Sequence, residues 1–96
     1  MRNLYLVSYD IRDQKRWRKV FRIAKGYGVQ LQYSVFYCYL SARERVLLTS
    51  DLESVIDHAS DRVLVVNIGG PGMDLEQKVE FLGQKKDIAD HQAVII

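Results

Sequence analysis

Asp10 closes an apolar, strand-like run, and the segment that follows, residues 12–25, carries seven lysines and arginines against the single acid Asp13. A carboxylate is a hard oxygen ligand suited to magnesium or another divalent cation, and cationic side chains next to it suit phosphate oxygens. Together they point to a nucleic-acid backbone as the molecule handled. Magnesium takes about six oxygen ligands and commonly only one or two protein carboxylates, with water and phosphate completing the shell. One chain offers Asp10 alone, because Asp13 is better used as a helix cap; two copies of Asp10 across a twofold axis would form a pair. A strand-end aspartate also accepts backbone hydrogen bonds in the turn that follows it, and that reading stays open from position alone.

The elements that must hold these residues can be read in order. Leu4 to Ile11 has the composition of a strand. From Asp13 as N-cap, the positions Trp17, Val20, Phe21 and Ala24 follow helical spacing, widened by Ile23 and Tyr27, until Gly26 and Gly28 end the helix. Lys15, Arg18, Lys19, Arg22 and Lys25 fall on the opposite face, the expected phosphate-binding surface, and a solvated helix face is the plainer alternative. Arg16 lies at the margin of the apolar arc, from which it is expected to lean toward the strand end that carries Asp10.

Val29 to Leu40 is β-prone with a broken alternation. Val29, Leu31 and Tyr33 interleave with Gln30, Gln32 and Ser34, yet Phe36, Cys38 and Leu40 occupy the formerly polar phase. This predicts a bulge or a change of strand near Ser34 and Val35, unless Tyr33, Tyr37 and Tyr39 make both faces amphipathic. Ser41 and Glu44 have capping-box spacing, and Leu48, Leu52, Val55, Ile56 and Ala59 form the stripe of the helix behind them. A third strand over Asp61 to Ile68 leads into Gly69, Gly70, Pro71 and Gly72, read as turn chemistry rather than a phosphate cradle, and a further strand is expected over Lys78 to Leu82. The apolar end, Ala93 to Ile96, is expected to add to a sheet edge.

That order gives a ferredoxin-like α+β sandwich, an antiparallel sheet with two helices on one face. It is expected as one domain over residues 1–96, with a core over 1–68 and a C-terminal strand extension over 69–96. The other sheet face is apolar, and a homodimer packed sheet to sheet would cover it.

The chain has 96 residues, 48% of them hydrophobic and 27% charged, with no run near the roughly 20 apolar residues that span a membrane. Its start does not read as a signal peptide, so a cytoplasmic location is expected. The single Cys38 excludes an internal disulfide and a thiolate zinc site and is read as a small buried hydrophobe; His58 and His91 are read as surface residues. Charge is divided along the chain: residues 1–40 hold eight basic and two acidic side chains, whereas residues 41–96 hold six basic and ten acidic. The positive field is therefore local to the first half.

Val7, Ser8, Tyr9, Asp10 and Ile11, then Asp13, Lys15, Arg16, Arg18, Lys19 and Val20, then Tyr27 and Gly28, then Gln32, Tyr33, Ser34, Val35 and Phe36 resemble a known family. It is the small CRISPR-associated adaptation protein, CRISPR-associated endonuclease two, and the resemblance covers most of residues 4–68 in order and spacing. It implies a ferredoxin-like homodimer in which Asp10 and its symmetry mate bind magnesium or another divalent ion near the dimer axis. It implies a site supported by Tyr9, Arg16, Arg18, Ser34 and Phe36. Family members are associated with cleavage of single-stranded RNA or double-stranded DNA, or with bridging integrase dimers during spacer acquisition without needed nuclease activity. Two departures stand out: Tyr37 replaces a frequent acidic residue, and Val79 to Gly83 is similar to variants with an extra strand.

Three functions stay open: a metal-dependent endonuclease using Asp10, a non-catalytic DNA-binding scaffold for an integrase, and a ferredoxin-like module without catalysis. An RNA-recognition version of the third is disfavoured, because Ser60 to Ile68 lacks the interleaved aromatics on which bases stack.

Overall fold

The computed structural model describes residues 1–84. β1 (Asn3–Asp10) is followed by α1 (Gln14–Tyr27), β2 (Val29–Gln32), β3 (Val35–Leu40), α2 (Ala42–Glu53), β4 (Arg62–Gly69) and a single helical turn, α3 (Leu75–Lys78). The strands form one antiparallel sheet in the order β2-β3-β1-β4, the ferredoxin-like arrangement expected from the sequence.

The local signals act as their chemistry requires. Asp13 caps α1 by accepting the Arg16 amide at 2.9 Å. Ser41 and Glu44 form a full capping box: the Ser41 hydroxyl accepts the Glu44 amide at 3.1 Å, and the Glu44 carboxylate accepts the Ser41 amide at 2.8 Å. α1 runs through Gly26 and ends at Gly28 alone, whose amide donates to the Ala24 carbonyl at 2.9 Å. Gly28 has an ordinary extended backbone; glycine is required there because a Cβ would collide with the Tyr37 carbonyl and Cys38 Sγ of β3. Gly72, at φ +84°, occupies the left-handed region as turn chemistry demands.

Tyr5, Val7 and Tyr9 of β1 and Phe36, Cys38 and Leu40 of β3 meet Val20 and Ala24 of α1 and Leu48 and Leu52 of α2 in the main core. The opposite sheet face holds a second cluster of Leu4, Val29, Leu31 and Tyr37 with Leu75. β3 is thus buried from both sides, with Phe36, Tyr37 and Cys38 all under 6% exposed. This explains the broken alternation. A tight Tyr33–Ser34 turn separates two strands, and the register irregularity lies between Gln30 and Gln32 rather than at Val35.

Three expectations need correction. α2 stops at Glu53, and Ala59 is exposed rather than part of its stripe. Side chains compete for the backbone here: Asp61 accepts the Asp57 amide at 2.8 Å and Asp57 accepts the Ala59 amide at 3.0 Å, which turns the chain toward β4. Lys78 to Leu82 is not a strand. Asp74 caps the α3 turn, and Val79 and Phe81 then pack on the second cluster, so their alternation reflects one buried side without ladder pairing. The helix-free face is therefore partly covered by this chain's own Met73, Leu75, Val79 and Phe81, leaving Leu64 and Val66 about half exposed. His91 and the Ala93 to Ile96 tail lie outside the described residues.

Phe36 is fully buried between Tyr9 and Phe21. Phe36→Ala is expected to lower unfolding free energy by about 3–5 kcal/mol, measured by chemical denaturation; a loss below about 1 kcal/mol would show that this packing is not limiting.

Candidate nucleic-acid and metal site

Successive β1 side chains point to opposite faces, so Tyr9 enters the core under α1 while Asp10 shares the helix-free face with Leu6 and Ser8. Residues directly opposite in an antiparallel pair share a face, which adds Arg62, Leu64 and Val66 of β4 to this surface. Asp10 is exposed and makes no side-chain hydrogen bond or ion pair among the described residues. The alternative role as a turn acceptor is not the one it takes: Asp13 supplies the cap that starts α1.

The residues grouped around Asp10 by resemblance divide between structural positions and open ones. Tyr9 is 4% exposed, edge-on to Trp17 and stacked with Phe36. Burial pushes its hydroxyl up to about 12, so it stays protonated at neutral pH. Phe36 is wholly in the core. Ser34 acts through its backbone: its carbonyl accepts the Tyr9 amide at 3.1 Å, tying the β2–β3 turn to the strand end next to Asp10. Tyr9 and Phe36 thus lie beneath the sheet and Ser34 in the turn beside the strand end, and none of the three bonds the Asp10 carboxylate.

Arg16 does not lean toward Asp10. Its guanidinium donates to Asp61 at 2.8 and 3.4 Å and lies 3.9 Å from Asp13. Asp61, with a side chain only 1% exposed in this pair, takes two charge-assisted hydrogen bonds from Arg16 and also holds the Asp57 amide. Sequence reading missed this clamp, since 45 residues separate its partners. Lys15, Arg18, Lys19 and Arg22 are exposed and make no ion pair among the described residues, so α1 presents a cationic face without internal neutralisation.

Among the described residues no three His, Cys, Asp or Glu side chains converge. At the end of β1, Asp10 is thus the carboxylate left unpartnered among the described residues and available to a divalent ion. That donor fits a mostly hydrated cation, and a second carboxylate brought from outside the chain would complete a pair.

The family model described as CRISPR associated protein Cas2 matches residues 2–73. The chain is 47% identical over 92 residues to the CRISPR-associated endoribonuclease Cas2 1 of Rhodospirillum rubrum, covering 96% of this chain and 89% of that protein. It is 40% identical over 96 residues to the CRISPR-associated endoribonuclease Cas2 of Geobacter sulfurreducens, covering the whole of both. The crystal structure of Streptococcus pyogenes Cas2 is similar with a TM-score of 0.74 at 30% identity, over 83% of this chain and 99% of that one.

The Arg16 hydrogen bond, then the Asp57 amide, hold the Asp61 carboxyl below the usual carboxylate range. A group depressed in the folded state contributes stability above its unfolded pKa, about 3.9 for aspartate, and loses it as pH falls through the folded value. Asp61→Asn is therefore expected to cost about 2 kcal/mol near neutral pH, with the gap to the parent protein narrowing below about pH 4. Urea denaturation across that range measures it, and a gap independent of pH would exclude the charge as its source.

Proposed function

The chain belongs to the CRISPR-associated Cas2 family, and on that premise we propose that it is a divalent-metal-dependent endonuclease acting on RNA or double-stranded DNA. The single observation that carries this reading is the freedom of Asp10. It is an exposed carboxylate with no partner among the described residues, on a sheet face whose Leu64 and Val66 are also left open. Burying those apolar side chains against a second copy would bring two Asp10 carboxylates toward one axis and form the homodimer. The relatives named as endoribonucleases, and the Halalkalibacterium halodurans relative named as an endonuclease, support the class of reaction.

In this mechanism the paired Asp10 carboxylates would hold the cation, magnesium or a similar hard ion. When bound, the ion supplies charge stabilisation and acidifies a coordinated water. The chain's own contribution is positional. The Ser34 carbonyl fixes the strand end, Tyr9 and Phe36 fill the core behind it, and the Arg16–Asp61 clamp keeps α1 in place. Lys15, Arg18, Lys19 and Arg22 draw the phosphate backbone onto α1 from solution. The reaction belongs to spacer acquisition in the cytoplasm, beside an integrase.

A second reading, a non-catalytic DNA-binding scaffold of that integrase complex, is favoured by the same unneutralised helix, which needs no chemistry to hold a duplex. The variants separate the two. Asp10→Ala removes no side-chain hydrogen bond or ion pair among the described residues and is expected to shift stability by less than about 0.5 kcal/mol. On the nuclease reading it lowers magnesium-dependent cleavage of RNA or duplex DNA about 100-fold or more. Undiminished cutting by the purified variant sinks that reading. Reversing charge at Arg18, Lys19 and Arg22 is expected to weaken duplex binding and flatten its salt dependence; if spacer capture then fails while Asp10→Ala supports it, the scaffold reading holds.

A further inference from the structure

The α1 surface carries an aromatic column that the proposed metal chemistry does not use. Tyr33, at the β2–β3 turn, lies on Trp17 with ring centroids 4.4 Å apart and planes at 21°, and Trp17 lies on Phe21 at 5.2 Å and 15°. The column ends in a cation, with Lys25 Nζ 5.8 Å from the Phe21 centroid. Tyr33 stacks on one side only: it is 66% exposed, and its hydroxyl makes no hydrogen bond among the described residues. The Tyr9 hydroxyl and Trp17 Nε1 are buried without partners among the described residues, and the Tyr33 ring itself is held by its stack on Trp17.

The helix face that adjoins the column is charged. At about 100° per residue, Phe21, Lys25, Arg18 and Arg22 follow Trp17 in that order around the helix, so the aromatic edge of the core runs directly into the cationic face. A solvated tyrosine held flat by a second aromatic ring, with phosphate-attracting side chains on the adjoining face, has the composition of a platform for single-stranded nucleic acid. A base in a duplex is already stacked on both sides and cannot use such a ring; an unpaired base can.

We propose that the outer face of Tyr33 stacks an unpaired nucleobase while Arg18 and Arg22, on the adjoining helix face, hold the phosphates of the same strand, giving α1 a binding site for single-stranded nucleic acid. This rests on the nucleic-acid reading of the α1 face and adds a strand preference to it. Oligonucleotide length beyond a few residues is not required, because the column ends at one exposed ring.

Trp17 is the chain's one tryptophan, so its emission reports the column directly. The test titrates the full chain with a short oligothymidylate, the same strand with abasic sites at its centre, and a duplex of equal length. The single strand is expected to change Trp17 emission, and the abasic strand to bind about tenfold more weakly. Tyr33→Ala is expected to lower the ratio of single-strand to duplex affinity by about tenfold, with Tyr33→Phe restoring it. An unchanged ratio in Tyr33→Ala, while charge reversal at Arg18 and Arg22 weakens both ligands, overturns the stacking site and leaves the nucleic-acid reading intact. If charge reversal changes neither affinity, the reading of the whole α1 face fails with it.

Discussion

A strand has two faces and neighbouring residues cannot share one, and much of this molecule follows from how β1 uses that constraint. Tyr9 goes down, meets Trp17 and Phe36, and helps fasten α1 to the sheet. Asp10 must then go up, onto the face without long helices, where nothing among the described residues satisfies it. A one-residue slip of β1 would exchange these fates, burying a carboxylate and exposing an aromatic ring. Register is therefore strongly specified, and the same burial that stabilises the core fixes where the free carboxylate emerges.

Charge is handled in two different ways on the two sides of α1. On the side toward β4, Arg16 is neutralised by Asp61, whose side chain is enclosed and also ties down the Asp57 turn. On the outer side the cations have no such partners among the described residues. A helix with every cation paired would be a stable but inert wall; one with none paired would be repelled from itself. The division keeps α1 docked while leaving a positive field toward solvent.

The sequence made the local devices legible because each is closed within a few residues. The Asp13 cap, the Ser41–Glu44 box and the Gly28 stop are examples. The element order, with its apolar stripes, was enough for the ferredoxin-like arrangement, and Asp10 stood out as a carboxylate ending an apolar run. What could not be read was long-range. The Arg16–Asp61 clamp and the Tyr33–Trp17 stack join residues whose spacing carries no period. Val79 and Phe81 alternate as a strand does, but here alternation records only that one side of an irregular segment lies on Leu4, Val29 and Leu31. Burial pattern and ladder pairing usually coincide; where a loop covers a sheet, they part.

β3 is enclosed by α1 and α2 on one side and by the 73–81 segment on the other, and it is paired along both edges, whereas among the described residues β4 has one strand neighbour and two half-exposed apolar residues. The consequence is a gradient in how the backbone admits solvent. Amide protons of β3 are expected to exchange with deuterium only when the whole fold opens, and those on the outer edge of β4 through small local excursions. Backbone that yields easily therefore lies in the strand whose first residue is across from Asp10.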